Sequence, residues 1–213
     1  MSVFCWFAVF SRAPVLPNPD FLSAVPGASS VLQHTPASTS DPYLDDGPPP
    51  PLALQVFFPA VEAMEAALAG HLGRLAELPG AAAVQQAMVA RRVPISDALV
   101  PATPSCTYLV SYEGEADDPD VWLDHYLRHH TPIMARFPGI RQVEVYTRMD
   151  WTGGPAWPRA SALQRNKVVF DDAAALTAAL NSPVRHEMRE DFARFPPFHG
   201  ANTHYPMTTR ELL

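Results

Sequence analysis

Apolar side chains at alternate positions indicate strands in the second half of the chain. In CTYLVSY, Cys106, Tyr108, Val110 and Tyr112 fall on one face of an extended segment, so this face is predicted to be buried. β-Branched and aromatic residues mark the other strands of this half. The predicted strands span residues 106–112, 140–149, 166–170 and 201–209.

A different period predicts a helix between the first two of these strands. The residues Trp122, Tyr126, His130, Ile133 and Phe137 are three or four positions apart, which places them along one stripe of a helix. Aspartates and a proline before this stripe favour a helix start, and a glycine after it favours a helix end. His130 is therefore expected to face the same side as the apolar residues.

The elements of the second half follow the order strand, helix, strand, strand, helix, strand. Its second helix is predicted over residues 173–192, with a break at Pro183. This order is the ferredoxin-like βαββαβ arrangement. The first half follows the same plan and has a predicted helix over residues 61–76.

An internal repeat relates the two halves. Three matched pairs are each 112 positions apart: Pro26 and Pro138, Phe58 and Phe170, Leu68 and Leu180. The first strands, aligned on Cys5 and Cys106, are only 101 positions apart, so 11 residues are missing from the first helix of the first half. The missing segment includes the counterpart of HYLRHH, residues 125–130. We interpret the chain as a tandem duplication with a degenerate first half.

The repeat predicts two domains. Residues 1–95 form the degenerate half, residues 101–213 form the half with the candidate site, and a linker lies at residues 94–104. A four-stranded sheet with both helices on one face leaves its other face uncovered, and an apolar sheet face must be buried. We therefore predict an α+β fold in which two ferredoxin-like units pack sheet to sheet as an intramolecular α/β barrel. A pocket is expected between the sheet and the helices of the second unit.

Composition narrows the classes of partner. The net charge is -7 and no basic run is longer than 2 residues, so no nucleic-acid partner is expected. The apolar start, residues 2–10, is too short to span a bilayer and lacks the basic start of a secretion signal, which predicts a cytoplasmic protein with no membrane segment. Cys5 and Cys106 are expected to be core thiols. Lys167, the only lysine, is expected on an exposed strand surface.

The histidines of HYLRHH allow three interpretations. His125 and His129 are four positions apart, as zinc ligands on a helix are, but no glutamate follows His125 and no third ligand is evident, so no metal is expected. In a purely structural interpretation, His130 is hydrogen-bonded in the core and the other two are exposed. We favour acid/base catalysis by His130, because an imidazole on an apolar stripe beside a pocket can exchange a proton near neutral pH.

The segment HYLRHHTPIMARFPGIRQVEVY resembles a known family pattern. The pattern is His-Tyr-x-x-x-His-x-Pro followed by Pro-Gly and a strand, and it is typical of the EthD-like family of the dimeric α/β-barrel superfamily. The matching positions are His125, Tyr126, His130 and Pro132, and the resemblance covers residues 105–209. It implies a small, often aromatic, substrate. The family and its neighbours include accessory proteins of ether degradation, cofactor-free oxygenases, isomerases and polyketide cyclases, and haem binding also occurs in the superfamily.

We expect one working site, in the second half, because the first half lacks the helix that would carry the histidine. The first half is then a scaffold that completes the barrel. The candidate catalytic residues are His130, His125 and Tyr126. The candidate substrate-binding residues are Tyr108, Trp122, Glu144, Tyr146, His199 and His204.

The predicted function is that of a cofactor-independent enzyme. It would act as a lyase, hydratase, dehydratase or isomerase and use histidine acid/base chemistry on a small aromatic or phenolic molecule. No phosphate loop, dinucleotide glycine motif or cysteine metal cluster is present, so no cofactor is expected. Two alternatives stay open: a cofactor-free monooxygenase of an activated phenol, and a non-catalytic accessory protein that binds a small molecule. A homodimer formed through other surfaces is compatible with each of them.

Overall fold

The computed structural model describes residues 3–18, 20–95 and 99–213, so the first two residues of the chain and the centre of the predicted linker lie outside the described residues. Eight strands are present: β1 (Phe4–Arg12), β2 (Ser30–Pro36), β3 (Leu52–Phe58), β4 (Ala82–Val93), β5 (Ser105–Ala116), β6 (Gln142–Arg148), β7 (Ala162–Phe170) and β8 (Phe198–Glu211). They close into one antiparallel barrel in the order β1-β3-β2-β8-β5-β7-β6-β4, and β4 pairs with β1. The predicted α+β barrel within one chain is therefore confirmed.

Each half of the chain supplies four neighbouring strands. The first half contributes β4-β1-β3-β2 and the second half β8-β5-β7-β6, so the strand order is the same in both. The halves join at two seams, β2 with β8 and β4 with β6. Strand β2 and strand β6 have the same length of 7 residues, and both bounds of β6 lie 112 positions after those of β2.

Helices cover the outside of the barrel. They are α1 (Val61–Ala69), α2 (Pro119–His125), α3 (Thr131–Met134), α4 (Ala173–Leu180) and α5 (Pro183–Phe192). The predicted break at Pro183 separates α4 from α5, because proline lacks the N–H that would continue the helix. A short 3₁₀ helix, Leu72–Glu77, follows α1. Between β1 and β2 the described residues form turns and no helix, so a helix in this position is present in the second half alone.

The helix predicted around His130 is not uniform. It begins after Asp118, whose side chain accepts hydrogen bonds from the backbone N–H groups of Asp120 and Val121. After α2, residues Tyr126–His130 form a π-helical turn, and α3 then completes the segment. Such widened turns are rare and occur frequently at functional sites.

Side chains alternate along each strand between the helices outside and the barrel interior. On β5, Cys106, Tyr108, Val110 and Tyr112 face the helices and belong to an apolar core with Trp122 and other helix residues. A second apolar core lies beneath α1 in the first half. The buried face that was predicted for β5 is therefore the face that packs against helices.

The barrel interior contains buried polar residues beside an apolar cluster that includes Phe7 and Phe57. His34 is fully buried there, with Nδ1 2.8 Å from Thr209 Oγ1 and Nε2 2.9 Å from Gln55 Oε1, and burial lowers the pKa of His34 to about 3. Glu144 and Lys167 are also buried inside. The prediction that Lys167 lies on an exposed surface is wrong, because this position of β7 faces the interior of a closed barrel.

Both cysteines are buried free thiols, as predicted. Burial raises the pKa of the Cys106 thiol to about 11, so this thiol stays protonated at neutral pH. Of the helices in the described ranges, none is long and apolar enough to cross a membrane.

Candidate active site

A pocket of about 130 Å³ lies between the helix-facing side of the second-half strands and the helices α2 to α5. We call it the helix-side pocket. Its wall is mostly apolar, and the polar side chains on it come from four different elements. The polar lining residues include Tyr108, Tyr126, His130, Arg185, Asn202 and His204.

His130 is held in one orientation by a carboxylate. Its Nδ1 lies 2.8 Å from Oδ2 of Asp191, and both side chains are buried. Burial lowers the pKa of His130 to about 4 and outweighs the opposing effect of the Asp191 carboxylate. The imidazole is therefore neutral at neutral pH, with its proton on Nδ1, which donates to Asp191. Nε2 then carries the lone pair on a residue that lines the pocket.

Asp191 contacts a second histidine. Its other carboxylate oxygen, Oδ1, lies 3.3 Å from Nε2 of His125, within ion-pair distance but without hydrogen-bond alignment. The ring of Phe195 packs edge-on against His130, with the centroids 4.8 Å apart. This aromatic contact shields the pair formed by His130 and Asp191 from water on one side.

Asp191 was not among the residues predicted from the sequence. It lies on α5, three positions after the buried Met188, and so occupies the buried face of that helix. A carboxylate on a buried helical stripe is rare unless it is paired, which is the signal that could have identified it. Its partner is 61 positions earlier in the chain, and only the packing of α5 against the π-helical turn brings the two together.

Tyr126 forms part of the pocket floor. Its hydroxyl accepts a hydrogen bond of 2.6 Å from Nδ2 of Asn166, and its ring stacks on Trp122 with the centroids 5.3 Å apart. Burial raises the pKa of Tyr126 well above its usual range. The phenol is thus a neutral packing and positioning group, and Trp122 supports it from behind.

A segment of the first half packs against the residues of the pocket. We call residues 37–51, the connection between β2 and β3, the strap. Oδ2 of Asp41 accepts hydrogen bonds from the Tyr108 hydroxyl at 3.0 Å and from Nη2 of Arg185 at 2.9 Å. Leu44, also on the strap, lines the pocket. The first half is therefore more than a scaffold, because it supplies part of the wall of the helix-side pocket.

The strap also fixes His204. Oδ2 of Asp46 lies 2.8 Å from the backbone nitrogen of His204, which donates to it, and 2.9 Å from Nδ1 of the same residue. Burial lowers the pKa of His204, and the Asp46 carboxylate opposes this shift. His204 and His130 thus both line the pocket with one ring nitrogen bound to an aspartate.

Four of the predicted binding residues do not line the pocket: Trp122 stacks on Tyr126, and the other three lie elsewhere. Glu144 and Tyr146 are on β6 positions that face the barrel interior, where Oε2 of Glu144 is 3.0 Å from Nζ of Lys167. His199 has a side chain that is 72% exposed, and its Nε2 lies 2.7 Å from Oδ1 of Asp117. Because β8 begins at Phe198, His199 belongs to the end of a strand and not to a loop beside the pocket. The structure therefore does not bring these residues to the candidate site.

The described residues contain no group of three or more His, Cys, Asp or Glu side chains that is arranged to hold a metal ion. His129 stacks beside His125, with the ring centroids 4.8 Å apart, and it is exposed. A haem does not fit the helix-side pocket either, since about 130 Å³ is well below the roughly 300–1,000 Å³ of sites for drug-sized molecules.

A scan against protein-family models and a search of curated proteins gave no match. Solved structures do match over nearly the whole chain. An anthrone oxidase-like protein is 15% identical, covers 100% of this chain and 94% of its own, and has a TM-score of 0.62. A candidate monooxygenase of Fusobacterium nucleatum is 7% identical over 98% of this chain and 93% of its own, with a TM-score of 0.60.

A third similar structure is an R173A mutant of chlorite dismutase from Candidatus Nitrospira defluvii. It is 10% identical, covers 98% of this chain and 92% of its own, and has a TM-score of 0.56. At such low identity these similarities show the fold alone. They agree with the α+β barrel that the sequence predicted.

Proposed function

We propose that the helix-side pocket is the active site of an enzyme in which His130 removes a proton from a small activated phenol or a related carbon acid. The observation that carries this proposal is the hydrogen bond of 2.8 Å between Nδ1 of His130 and Asp191. This hydrogen bond leaves Nε2 as the basic nitrogen of a residue that lines the pocket. A carboxylate in this position also stabilises the imidazolium that forms when the histidine accepts a proton.

The pKa of His130, about 4, limits the substrates to those that are acidic enough to give up a proton to it. Such an imidazole is fully in its proton-accepting form at neutral pH, but it is a weak base. The substrate must therefore ionise readily, as an activated phenol or a carbon acid flanked by aromatic or carbonyl groups does. Arg189 and Arg185, both on the pocket wall, would stabilise the anion formed, and Arg185 is shared with Asp41.

The size of the pocket further restricts the substrate. A cavity of roughly 150 Å³ holds a benzene molecule, and the helix-side pocket has about 130 Å³. A substrate with one aromatic ring is therefore favoured with the strap in its observed position. A substrate with three fused rings would require the strap to move.

Oxygenation is the reaction that we favour for the anion. The similar structures include an anthrone oxidase-like protein and a candidate monooxygenase, and the pocket is apolar enough to exclude water from a reactive anion. In such a reaction a methylene group of a carbon acid and O₂ give a carbonyl group and one water, and a phenol with a free para position and O₂ give a quinone and one water. The substrate supplies the electrons, so no further reductant is required.

Isomerisation or elimination is a second candidate reaction, and His204 favours it. This residue places a second imidazole on the pocket wall, across from the helix that carries His130. One histidine could then remove a proton while the other returns it to a different atom.

We also propose a family and an evolutionary origin for the chain. The chain would be an EthD-like protein that arose by tandem duplication of a ferredoxin-like unit, with domains at residues 1–95 and 101–213. The identical strand order of the two halves and the offset of 112 residues between β2 and β6 support this assignment.

An oxygen electrode tests the proposed function. Activated single-ring phenols and anthrone are supplied to the wild-type protein, to His130→Gln and to His129→Gln, which changes an exposed histidine on the same helix. We expect oxygen consumption that falls by about two to four orders of magnitude in His130→Gln and stays unchanged in His129→Gln. Turnover without oxygen uptake would favour isomerisation, and unchanged turnover in His130→Gln would show that His130 is a core histidine.

A further inference from the structure

The barrel interior opens at one end into a second, larger cavity. This barrel-end cavity has a volume of about 860 Å³, within the roughly 300–1,000 Å³ of small-molecule sites. It lies on the opposite side of the sheet from the helix-side pocket, because its strand residues face the interior. Its lining includes Leu32, Phe57, Glu144, Lys167, Val169 and Thr209.

An ion pair forms the floor of this cavity. Nζ of Lys167 lies 3.0 Å from Oε2 of Glu144, and each side chain is only 4% exposed. The ammonium also lies 5.0 Å from the centre of the Phe57 ring. Burying two charges costs several kcal/mol of desolvation per ion. The proposed reaction in the helix-side pocket makes no use of either residue.

Hydrogen-bond donors outnumber acceptors around this ion pair. Oε1 of Glu144 accepts from Nη2 of Arg92 at 2.9 Å and from Nε2 of Gln142 at 2.6 Å, while Oε2 accepts from the Tyr146 hydroxyl and faces Lys167. A carboxylate offers about four acceptor positions, so Glu144 has no capacity left. Lys167 carries three N–H donors, and among the described residues Glu144 is the one carboxylate within ion-pair distance of them.

The same network carries surplus positive charge. Two cations, Arg92 and Lys167, share the single carboxylate of Glu144. At the rim of the cavity, Arg141 is paired with Asp171, and Oε1 of Glu211 accepts a hydrogen bond from Ser30. At the floor, two cations therefore share one carboxylate, and Lys167 has more N–H donors than Glu144 can accept.

We propose that the barrel-end cavity binds a small organic monocarboxylate. The carboxylate accepts hydrogen bonds from Lys167 at the floor and balances the surplus charge. The apolar part of the ligand packs against Leu32, Phe57 and Val169. A single negative charge would serve the second of the two cations that share Glu144, and the apolar wall favours a ligand with an organic part over a free inorganic anion.

The single lysine permits a direct test on the whole chain. Protein labelled with ¹³C in lysine gives one set of lysine side-chain resonances, which report on Lys167 alone. The probe is 2-naphthoate, and the control compound is 2-naphthamide, which has a similar shape but no charge. We expect 2-naphthoate to shift the Lys167 resonances saturably and to bind about tenfold more tightly than 2-naphthamide, because only the acid pairs with the buried ammonium. Equal affinities, or no saturable shift of these resonances, would overturn the proposal.

Two variants locate the ligand, with binding measured by calorimetry. Leu32→Trp narrows the barrel-end cavity and should lower the affinity for 2-naphthoate by at least about tenfold. Met134→Trp narrows the helix-side pocket and should leave that affinity unchanged. The reverse pattern would place the ligand in the helix-side pocket and refute the proposal.

Lys167→Met and Lys167→Arg test the charge itself. The methionine variant should bind 2-naphthoate and 2-naphthamide equally, whereas the arginine variant should keep the preference for the acid. Lys167→Met can fail to fold because Glu144 loses a partner. In that case the titration of the wild-type protein and the affinity of Leu32→Trp still show whether the barrel-end cavity binds the acid. A preference for the acid that survives in a folded Lys167→Met would contradict the proposed role of Lys167.

Discussion

Nδ1 of His130 lies 2.8 Å from Oδ2 of Asp191, and this contact joins the π-helical turn to α5. The carboxylate selects the tautomer in which Nε2 is basic. An asparagine at this position would offer its N–H₂ group to Nδ1 and place the imidazole proton on Nε2 instead. The proposed base would then lose its lone pair on the pocket side.

We therefore expect Asp191→Asn to lower kcat/KM by about two to four orders of magnitude, which is the usual contribution of a general base to the rate. Steady-state kinetics on the substrate identified with the oxygen electrode would measure this loss. Glu190→Gln, which changes an exposed carboxylate on the same helix, is the matched control and should keep wild-type activity. Equal activity of Asp191→Asn and the control would remove the aspartate from the mechanism.

The pH dependence of catalysis should reflect the low pKa of His130, about 4. The histidine must be neutral to accept a proton, so activity should be constant from pH 7 down to about pH 5 and fall only as pH approaches 4. A profile of kcat/KM against pH tests this, with each sample returned to pH 7 to exclude unfolding. An acidic limb centred near pH 6.5 would show that burial does not lower the pKa of this group.

The strap should control the size of the substrate. Asp41→Ala removes the acceptor shared by the Tyr108 hydroxyl and Arg185, and each unmet buried partner costs about 1–3 kcal/mol. We expect the strap to detach more readily, which would raise the ratio of kcat/KM for a three-ring substrate to that for a single-ring substrate.

Hydrogen exchange provides an independent measurement of the same effect. The amides of residues 37–51 should exchange faster in Asp41→Ala than in the wild-type protein. Asp45→Ala is the control, because the side chain of Asp45 accepts a hydrogen bond only from the nearby Gly47 backbone. If the two variants have the same exchange rates and the same substrate preference, Asp41 does not hold the strap.

Stability should fall in mild acid because of His34. Its pKa is about 3 in the folded protein and about 6.5 in the unfolded chain, so between these values the unfolded state binds a proton that the folded state does not. Unfolding is therefore favoured as pH decreases below 6.5, by about 1.4 kcal/mol for each pH unit and each such group. His130, with a pKa of about 4, adds to the effect down to that pH.

Urea unfolding at pH 7 and pH 5 would measure this dependence. His34→Gln should reduce the difference in free energy of unfolding between the two pH values, even if the variant is less stable at both. His186→Gln changes an exposed histidine and should leave the difference as it is in the wild-type protein. A His34→Gln protein with the full wild-type difference would show that His34 is not the group responsible.

The barrel and the position of His130 could be predicted because they depend on local periodicity. Alternation along β5 and the helical stripe from Trp122 to Phe137 each identify a buried face without knowledge of the partner. The order of elements and the repeat then limit how these faces can meet. Asp191 and Asp41 could not be identified in this way, because their roles depend on contacts with residues distant in the sequence.

Glu144 shows why the faces of β6 were misjudged. The sequence placed it among the substrate-binding residues of the pocket, since most sheets have one covered and one exposed face. A closed barrel offers a third environment, its interior, where buried polar and apolar side chains lie side by side. The same reason explains why Lys167 was expected at a surface.

The two seams of the barrel make each half the natural complement of the other. A half on its own would have two unpaired strand edges and would expose its polar interior face, and Arg92 of β4 would lose Glu144 of β6 directly across the seam. Separate polypeptides for residues 1–95 and 101–213 should therefore recombine into one heterodimer rather than persist as monomers. The covalent connection between the halves then serves mainly to keep their effective concentration high and to ensure that each first half meets a second half.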